Sequence, residues 1–442
     1  MGLWIGVAAR RRGRLLIAAI GALLLVTGSA SAAPAAAPAL DSGATAWVLT
    51  ASALVLFMTL PGLALFYGGL VRARNLLSVL MHCFVIGCVV SLLWLAFGYS
   101  LVFAPGNALI GSLDAAFLTH ARQHLLPNGL PEGAFALFQM TFAIITPALI
   151  IGAFAERVRF GFVILFSALW LILVYLPVAH WVWGGGWLAA YGTIDFAGGI
   201  VVHTTAGVSA LVAAIMVGPR DGFPHRLAPP HNPGMTMAGA GMLWIGWFGF
   251  NGGSALAADG SAASAILATQ FAAAAAGLAW IAIERSRLGK PTSVGIVTGC
   301  VAGLATITPA SGYVGPLGAA VIGAAGGALC FFATSFVKSR LAIDDTLDVF
   351  AVHGVGGMLG SMLVTAFALP ALGGGGYGHE MSPAGQLGVQ ALGVAAAAIW
   401  AAVCTLAIIK LLGATIGVRV SVEEQREGLD LVTHGERAYD LV

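Results

Sequence analysis

Charge is scarce in this chain. Of 442 residues, 20 are Lys or Arg and 18 are Asp or Glu, 9% together, and the formal net charge is +2. Nucleic-acid binding calls for a concentrated basic face, and nothing in the sequence points to one. The sum itself says little about other partners, because in so apolar a chain the placement of positive residues matters more than their number. Cysteine is sparse too. Cys83, Cys88, Cys300, Cys330 and Cys404 all fall in apolar stretches without metal-ligand or paired spacing. That excludes a disulfide framework and reads as small buried hydrophobes. No cofactor-loop motif appears, so neither cofactor nor metal is expected.

Apolar length is abundant. Hydrophobic residues make up 59% of the chain, mean hydropathy is +0.95, and the apolar stretches recur at lengths of about 20 residues, enough to cross a bilayer. This is the pattern of a multi-pass membrane protein. At the N-terminus Arg10, Arg11, Arg12 and Arg14 precede the run Leu15–Val26, and Ala30-Ser31-Ala32 offers a small-residue cleavage site. Residues 1–32 read as a cleavable signal peptide and 33–43 as a flexible external N-terminus; the competing reading is an uncleaved first span. From Ala44 onward eleven spans are expected, at 44–70, 76–103, 133–154, 160–179, 197–218, 235–251, 262–284, 293–309, 316–337, 346–370 and 384–412. Arg72 and Arg74, Arg157 and Arg159, Arg220 and Arg226, Arg285, Arg287 and Lys290, and Lys338 and Arg340 all follow odd-numbered spans, whereas even-numbered loops contain only Arg122. The positive-inside rule then puts the odd loops and residues 413–442 in the cytoplasm and the mature N-terminus outside.

His203 and His353 are the most informative residues. Each lies in an apolar run, each follows an aspartate at the run's edge, and each has glycine neighbours: Asp195-Phe-Ala-Gly-Gly-Ile-Val-Val-His203 opens span five, and Asp348-Val-Phe-Ala-Val-His353-Gly-Val-Gly-Gly357 opens span ten. An ionisable side chain at membrane depth is costly and points to function. Helix rise puts His203 about 12 Å from the outer boundary and His353 at least about 8 Å from the inner one, so the rings can meet in the middle third of the core. Span five enters from outside and span ten from inside, as in a five-plus-five inverted repeat with a site at its interface and an eleventh bracing helix. Gly199, Gly207 and Gly357 share a helix face with the histidines and allow close approach. The bland alternative is a pair of interhelical hydrogen-bond partners. For Asp195 and Asp348 helix capping is the leading role, with Asp195 adding negative potential on the external side.

The runs His180-Trp-Val-Trp183-Gly-Gly-Gly-Trp, Asp195 to His203, Gly246-Trp-Phe-Gly-Phe250-Asn-Gly-Gly-Ser254, Thr308-Pro-Ala-Ser-Gly-Tyr-Val-Gly315 and Asp344-Asp-Thr-Leu-Asp348 to His353 stand in order along the chain. Together they resemble the ammonium transporter (Amt/Mep/Rh) family, in its bacterial Amt branch, from about Ala44 to Tyr439. The resemblance implies an all-α membrane protein whose residues 44–412 form the transporter domain, in the inner (cytoplasmic) membrane, with ammonium or ammonia as cargo and no enzymatic activity. It implies that Trp183 and Ser254, with Phe142, recruit ammonium on the external side, that Phe142 and Phe250 stack as a gate, and that His203 and His353 form a twin-histidine pair. On the residues alone Phe142 and Phe250 are core packing and Trp183 belongs to an interfacial belt.

The chemistry gives these types a reason. A cation over an indole gains roughly 0.5–2 kcal/mol. Carrying an ion through an apolar tube meets an idealised desolvation cost on the order of 20 kcal/mol, whereas neutral ammonia costs only a few. Deprotonation is therefore the easier route, and potassium has no proton to lose. A neutral, mutually hydrogen-bonded histidine pair can relay that proton, giving net electrogenic uptake. Residues 413–442 resemble the family's regulatory tail through Glu427-Gly428-Leu-Asp430 and His434-Gly435-Glu-Arg-Ala-Tyr439, which implies a homotrimer and docking of a PII-type signalling protein; the bland reading is a solvated charged tail. Three alternatives stay open: a passive Rh-like ammonia or gas channel, an ammonium sensor, and a membrane enzyme holding a metal or haem on histidine. A tail of about 30 residues argues against a fused output module, and no third ligand stands near the histidines. Ser311 occupies a place where the family often has cysteine and is expected to be silent. Loop 104–132, with His120, Arg122, His124 and Glu132, suggests no role.

Overall fold

The computed structural model describes residues 38–226, 228–378 and 381–440. The expected signal peptide and residues 33–37 lie outside them. Eleven helical stretches carry the fold: α1 (Ser42–Leu70), α2 (Ala73–Phe103), α3 (Glu132–Ala153), α4 (Phe160–Ala190, interrupted at 184–186), α5 (Gly199–Val217), α6 (Pro233–Gly253), α7 (Gly260–Leu288), α8 (Ser293–Ile307), α9 (Pro316–Arg340), α10 (Phe350–Phe367) and α11 (Pro383–Thr415). Among the described residues there is no β-strand. Nine of the eleven, all but α6 and α8, are long and apolar enough to cross a membrane.

Local chemistry starts these helices where they start. Asp41 accepts from Ala44 N–H at 2.8 Å, Asn232 from Met235 N–H at 2.9 Å, Asp259 from Ser261 N–H at 2.9 Å, and Ser382 from Gly385 N–H at 3.1 Å. Each satisfies a donor that the first helical turn leaves open. Pro233 and Pro383 follow their caps, where the missing N–H costs nothing.

α5 and α10 are joined by an absence of side chains. A Cβ built on Gly207 would lie 2.2 Å from Gly354 Cα, and one on Gly357 would lie 2.6 Å from His203 Cβ. Low residue numbers of one helix meet high numbers of the other, so the two cross antiparallel about a point close to both histidines. Small residues also bring α7 against α8 and α9, where Gly303 and Gly327 abut Ala276. Exposed Phe84, Leu92, Leu278, Phe336, Ile399 and Val403 belong to the apolar outer surface that a bilayer would cover.

The structure corrects three expectations. Cys83 and Cys330 are buried, but Cys88 is exposed and Cys300 and Cys404 are only partly covered, because their helix faces point outward. Helix α10 begins at Phe350, not 346: Thr346 and Leu347 donate to Ala153 O and Gly152 O at the end of α3, at 3.3 and 3.1 Å, so their N–H groups bind another helix. Asp348 does not cap with its side chain. Its φ of 60° turns the chain, and its carboxylate pairs with Lys338 at 2.8 Å. The cap is Asp345, which accepts from Phe350 N–H at 2.7 Å.

The tail folds back as two short helices, α12 (Val422–Glu427) and α13 (Leu429–His434), against the start of α2. Asp430 accepts from Leu77 and Ser78 N–H at 3.0 and 2.8 Å, and Asn75 Oδ1 accepts from Leu429 N–H at 2.9 Å. Gly428 has φ 110°, and a Cβ there would lie 2.6 Å from Arg74 Cβ. Glu427 is exposed, Gly435 ends α13 at φ 70°, the His434 ring meets Phe160 at 5.1 Å, and Tyr439 Oη lies 3.3 Å from His231 Nε2.

Candidate functional site

Five of the predicted site residues, Trp183, Phe142, Phe250, His203 and His353, form one column of rings. At one end Trp183 donates through Nε1 to Asp195 O at 2.8 Å, and its ring meets Phe142 edge-on at 5.8 Å. Phe142 in turn stacks on Phe250 with centroids 4.1 Å apart and planes 26° from parallel, and both phenyl groups are fully buried. Phe250 approaches His203 at 6.1 Å. His203 and His353 face each other with Nδ1 atoms 3.3 Å apart and rings 5.2 Å apart. At that separation one Nδ1 carries a proton for the other to accept, so the contact suits a neutral pair.

Each member is held from behind. The Asp195 carboxylate accepts from four consecutive backbone N–H groups, Gly198, Gly199, Ile200 and Val201, at 2.6 to 3.0 Å. It fixes the start of α5 through groups two to five residues before His203, a capping role and not a direct contact with the ring. Ser254 Oγ donates to Phe250 O at 2.9 Å, one turn further along α6. Both histidines sit in opening turns wound more widely than an α-helix, Gly199–Thr204 and Phe350–Gly354. Such π-type turns shift side-chain direction and leave backbone groups less regularly paired, and they recur at functional sites.

Sequence reasoning gave Trp247 no role. Its ring stacks on His203 at 5.6 Å, and its Nε1 donates to Thr308 Oγ1 at 2.9 Å, which fixes the indole. The Gly246-Trp-Phe-Gly-Phe250 run contained it, but nothing in that run says that Trp247 and Phe250 face the same ring. Against Phe250, His203 and His353 is a slot of about 10 Å³ walled by Met58, Leu149, Val202, Leu243 and Trp247, room for about one water-sized molecule. His203 Nε2 has no hydrogen-bond partner among the described residues. A single small hydrogen-bonding guest is what this slot can serve.

Beyond His353 the space widens to a vestibule of about 220 Å³ that reaches Tyr67, Arg220, Lys338 and Asp348. Its rim is a charge network. Arg220 donates to both oxygens of Asp344 at 2.8 to 2.9 Å, and Glu156 pairs with Arg72 at 3.0 Å. The buried Arg157 guanidinium donates to Gly218 O, Ala153 O and Asp344 O at 2.8 to 2.9 Å. Burial pulls Arg157 down to about 10, although Asp344 works in the opposite direction. At the other end of the molecule, loop 104–132 and the adjoining helix ends line an open cleft of about 840 Å³, where Glu132 accepts from Tyr99 Oη at 2.8 Å and meets His124 Nδ1 at 3.1 Å.

Residues 46–439 match the model of the Ammonium Transporter Family. The chain belongs to the ammonium transporter family. An ammonium transporter of Bacillus subtilis is 45% identical over 404 residues, which is 90% of this chain and 99% of that protein. Ammonium transporter Amt1 of Archaeoglobus fulgidus is 43% identical over 90% of this chain and its own full length. The solved structure of a sensor Amt protein superposes with a TM-score of 0.83 at 34% identity, covering 88% of this chain and 98% of its own. Candida albicans Mep2 gives 0.78 at 35%, covering 87% and 88%. The family assignment makes the column of rings part of a multi-pass membrane transporter.

Proposed function

We propose that this transporter carries ammonium inward by separating it into ammonia and a proton. The single observation that carries the reading is the unbroken line from Trp183 through Phe142 and Phe250 to the His203–His353 contact, with a slot for one small molecule in it. Trp183, Phe142 and Ser254 receive the cation, whose charge an aromatic face attracts. The stacked phenyl rings admit a guest only when they part, and the apolar slot beyond them favours the neutral amine by many kcal/mol over any ion. His203 and His353 then accept from and donate to ammonia, and the proton passes along the pair by tautomer exchange. Potassium is rejected because it has no neutral form.

The same reading orients the molecule. Basic residues cluster at the ends of α1, α3, α5, α7 and α9, and the tail docks beside the first of them at the start of α2, so that end is cytoplasmic and the Trp183 end is external. From the family likeness we infer an inner-membrane homotrimer, with a PII-type protein at the cytoplasmic face and residues 413–442 as the regulatory tail. An ammonium pulse on a reconstituted planar membrane, with potassium as control, tests the mechanism. His353→Ala should abolish the ammonium current; a mutant that still passes a selective, undiminished current would refute the relay. Flux without current in the native protein favours the passive Rh-like channel, and binding without flux favours a sensor, the activity named for one structural neighbour.

A further inference from the structure

Beside the inner vestibule lies a second cavity, of about 380 Å³, that the transport reading does not use. Three segments far apart in sequence supply it with five arginines: Arg72 and Arg74 after α1, Arg220 and Arg226 after α5, and Arg426 on α12. Two carboxylates line it among the described residues, Glu156 and Asp221, and a third, Asp344 just outside it, holds Arg220 at 2.8 to 2.9 Å, so five arginines face three carboxylates. Glu156 is shared by Arg72 and Arg220 at 3.0 and 3.6 Å, and Asp221 holds Arg426 at 2.8 Å. Arg74 donates to the Arg426 carbonyl. Neither Arg74 nor Arg226 has a carboxylate within 4 Å among the described residues. Hydrogen bonding to Arg426 pulls the Asp221 carboxyl below its ordinary value, with the charges of Arg72 and Arg226 adding to the effect. The lining thus keeps an excess of positive charge in a recess, where like charges repel and an anion is attracted.

We propose that this cavity binds a phosphoryl anion, free or on a lipid headgroup, and that the anion ties the tail to the inner mouth of the pore. Several guanidinium forks converging on one space match a tetrahedral dianion, whereas a carboxylate monoanion would leave half of the excess uncompensated. The cavity shares Leu70, Arg220 and Ala228 with the vestibule below His353, so a bound anion would stand next to the exit route. Its bridge from Arg426 to Arg74 and Arg226 would fasten α12 to the first turn of α2 and to the loop after α5, beside that exit. The cytoplasmic position of the site rests on the orientation proposed above.

The test uses the full-length purified protein and two readouts, thermal midpoint and protease protection of the tail. Inorganic phosphate is titrated against chloride at matched ionic strength, and in parallel, in buffer without inorganic phosphate, nanodiscs of anionic phosphatidylglycerol are compared with nanodiscs of zwitterionic phosphatidylcholine. Phosphate should raise the midpoint and protect the tail, and the double variant Arg74→Gln, Arg226→Gln should weaken that response about tenfold or more. His353→Ala, whose current is expected to vanish, should keep it, which separates this site from the transport reading. An effect of phosphatidylglycerol alone assigns the anion to the lipid; an effect of phosphate alone assigns it to a soluble ligand. No response to either anion, or an undiminished response in the double variant, overturns the proposal.

Discussion

Gly207→Ala should disable transport without touching a ring. The new methyl would lie 2.2 Å from Gly354 Cα, backbone that cannot rotate away. Opening that contact to 3.4 Å, the start of ordinary van der Waals separation, takes about 1.2 Å of movement between α5 and α10. The histidines are on these two helices within four residues of the contact, so a like shift carries their Nδ1 atoms from 3.3 Å to about 4.5 Å. That is beyond any hydrogen bond. Overpacking of this kind costs about 1–3 kcal/mol of stability, and a misplacement of about 1 Å can cost on the order of a hundredfold in rate. Ammonium-driven current and thermal midpoint are to be measured together in reconstituted protein. Gly357→Ala, with a milder 2.6 Å contact to His203 Cβ, should show the same defect in lesser degree, and Gly241→Ala, where nothing lies within 4 Å, should show none. Native current and midpoint in Gly207→Ala would refute the claim that this crossing sets the histidine contact.

Three further outcomes follow from the same geometry. Trp183→Ala removes an aromatic face worth roughly 0.5–2 kcal/mol to a cation, so the half-saturating ammonium concentration should rise about twofold to thirtyfold; an unchanged value removes Trp183 from recruitment. Asp195→Ala leaves four N–H groups without their acceptor and should cost about 2–4 kcal/mol in unfolding, whereas Asp195→Asn should recover part of it. Burial, helped by Asp348, pushes the Asp345 carboxyl up from its ordinary 3.8 to about 6. Because the folded state holds that proton more tightly, the stability it brings is whole below pH 3.8 and lost as pH rises through about 6, a change of about 3 kcal/mol. Asp345→Asn should therefore gain on the native protein between those values, and parallel stability curves for the two would contradict the assignment.

Much of the fold was legible because membrane helices announce themselves by length and apolarity. The ends were less so. Asp348 looked like the cap of α10 on spacing alone, but capping depends on where Thr346 and Leu347 send their N–H groups, and they send them to α3. Cys88 looked buried because hydropathy is similar on the lipid-facing and core-facing sides of a helix. Trp247 and the five-arginine cavity were invisible for a related reason: their neighbours lie tens to hundreds of residues away, beyond the reach of any local pattern.

From the sequence by itself came the helical class, the family likeness and the choice of His203 and His353 as the residues to explain, since an ionisable group in an apolar run stands out wherever it falls. The tertiary structure alone decided that the two rings touch at 3.3 Å, that glycines and widened helical turns make the approach, and that Asp195 serves the backbone of α5. Distances between segments 150 residues apart are set by packing of whole helices, and packing depends on all the side chains at once.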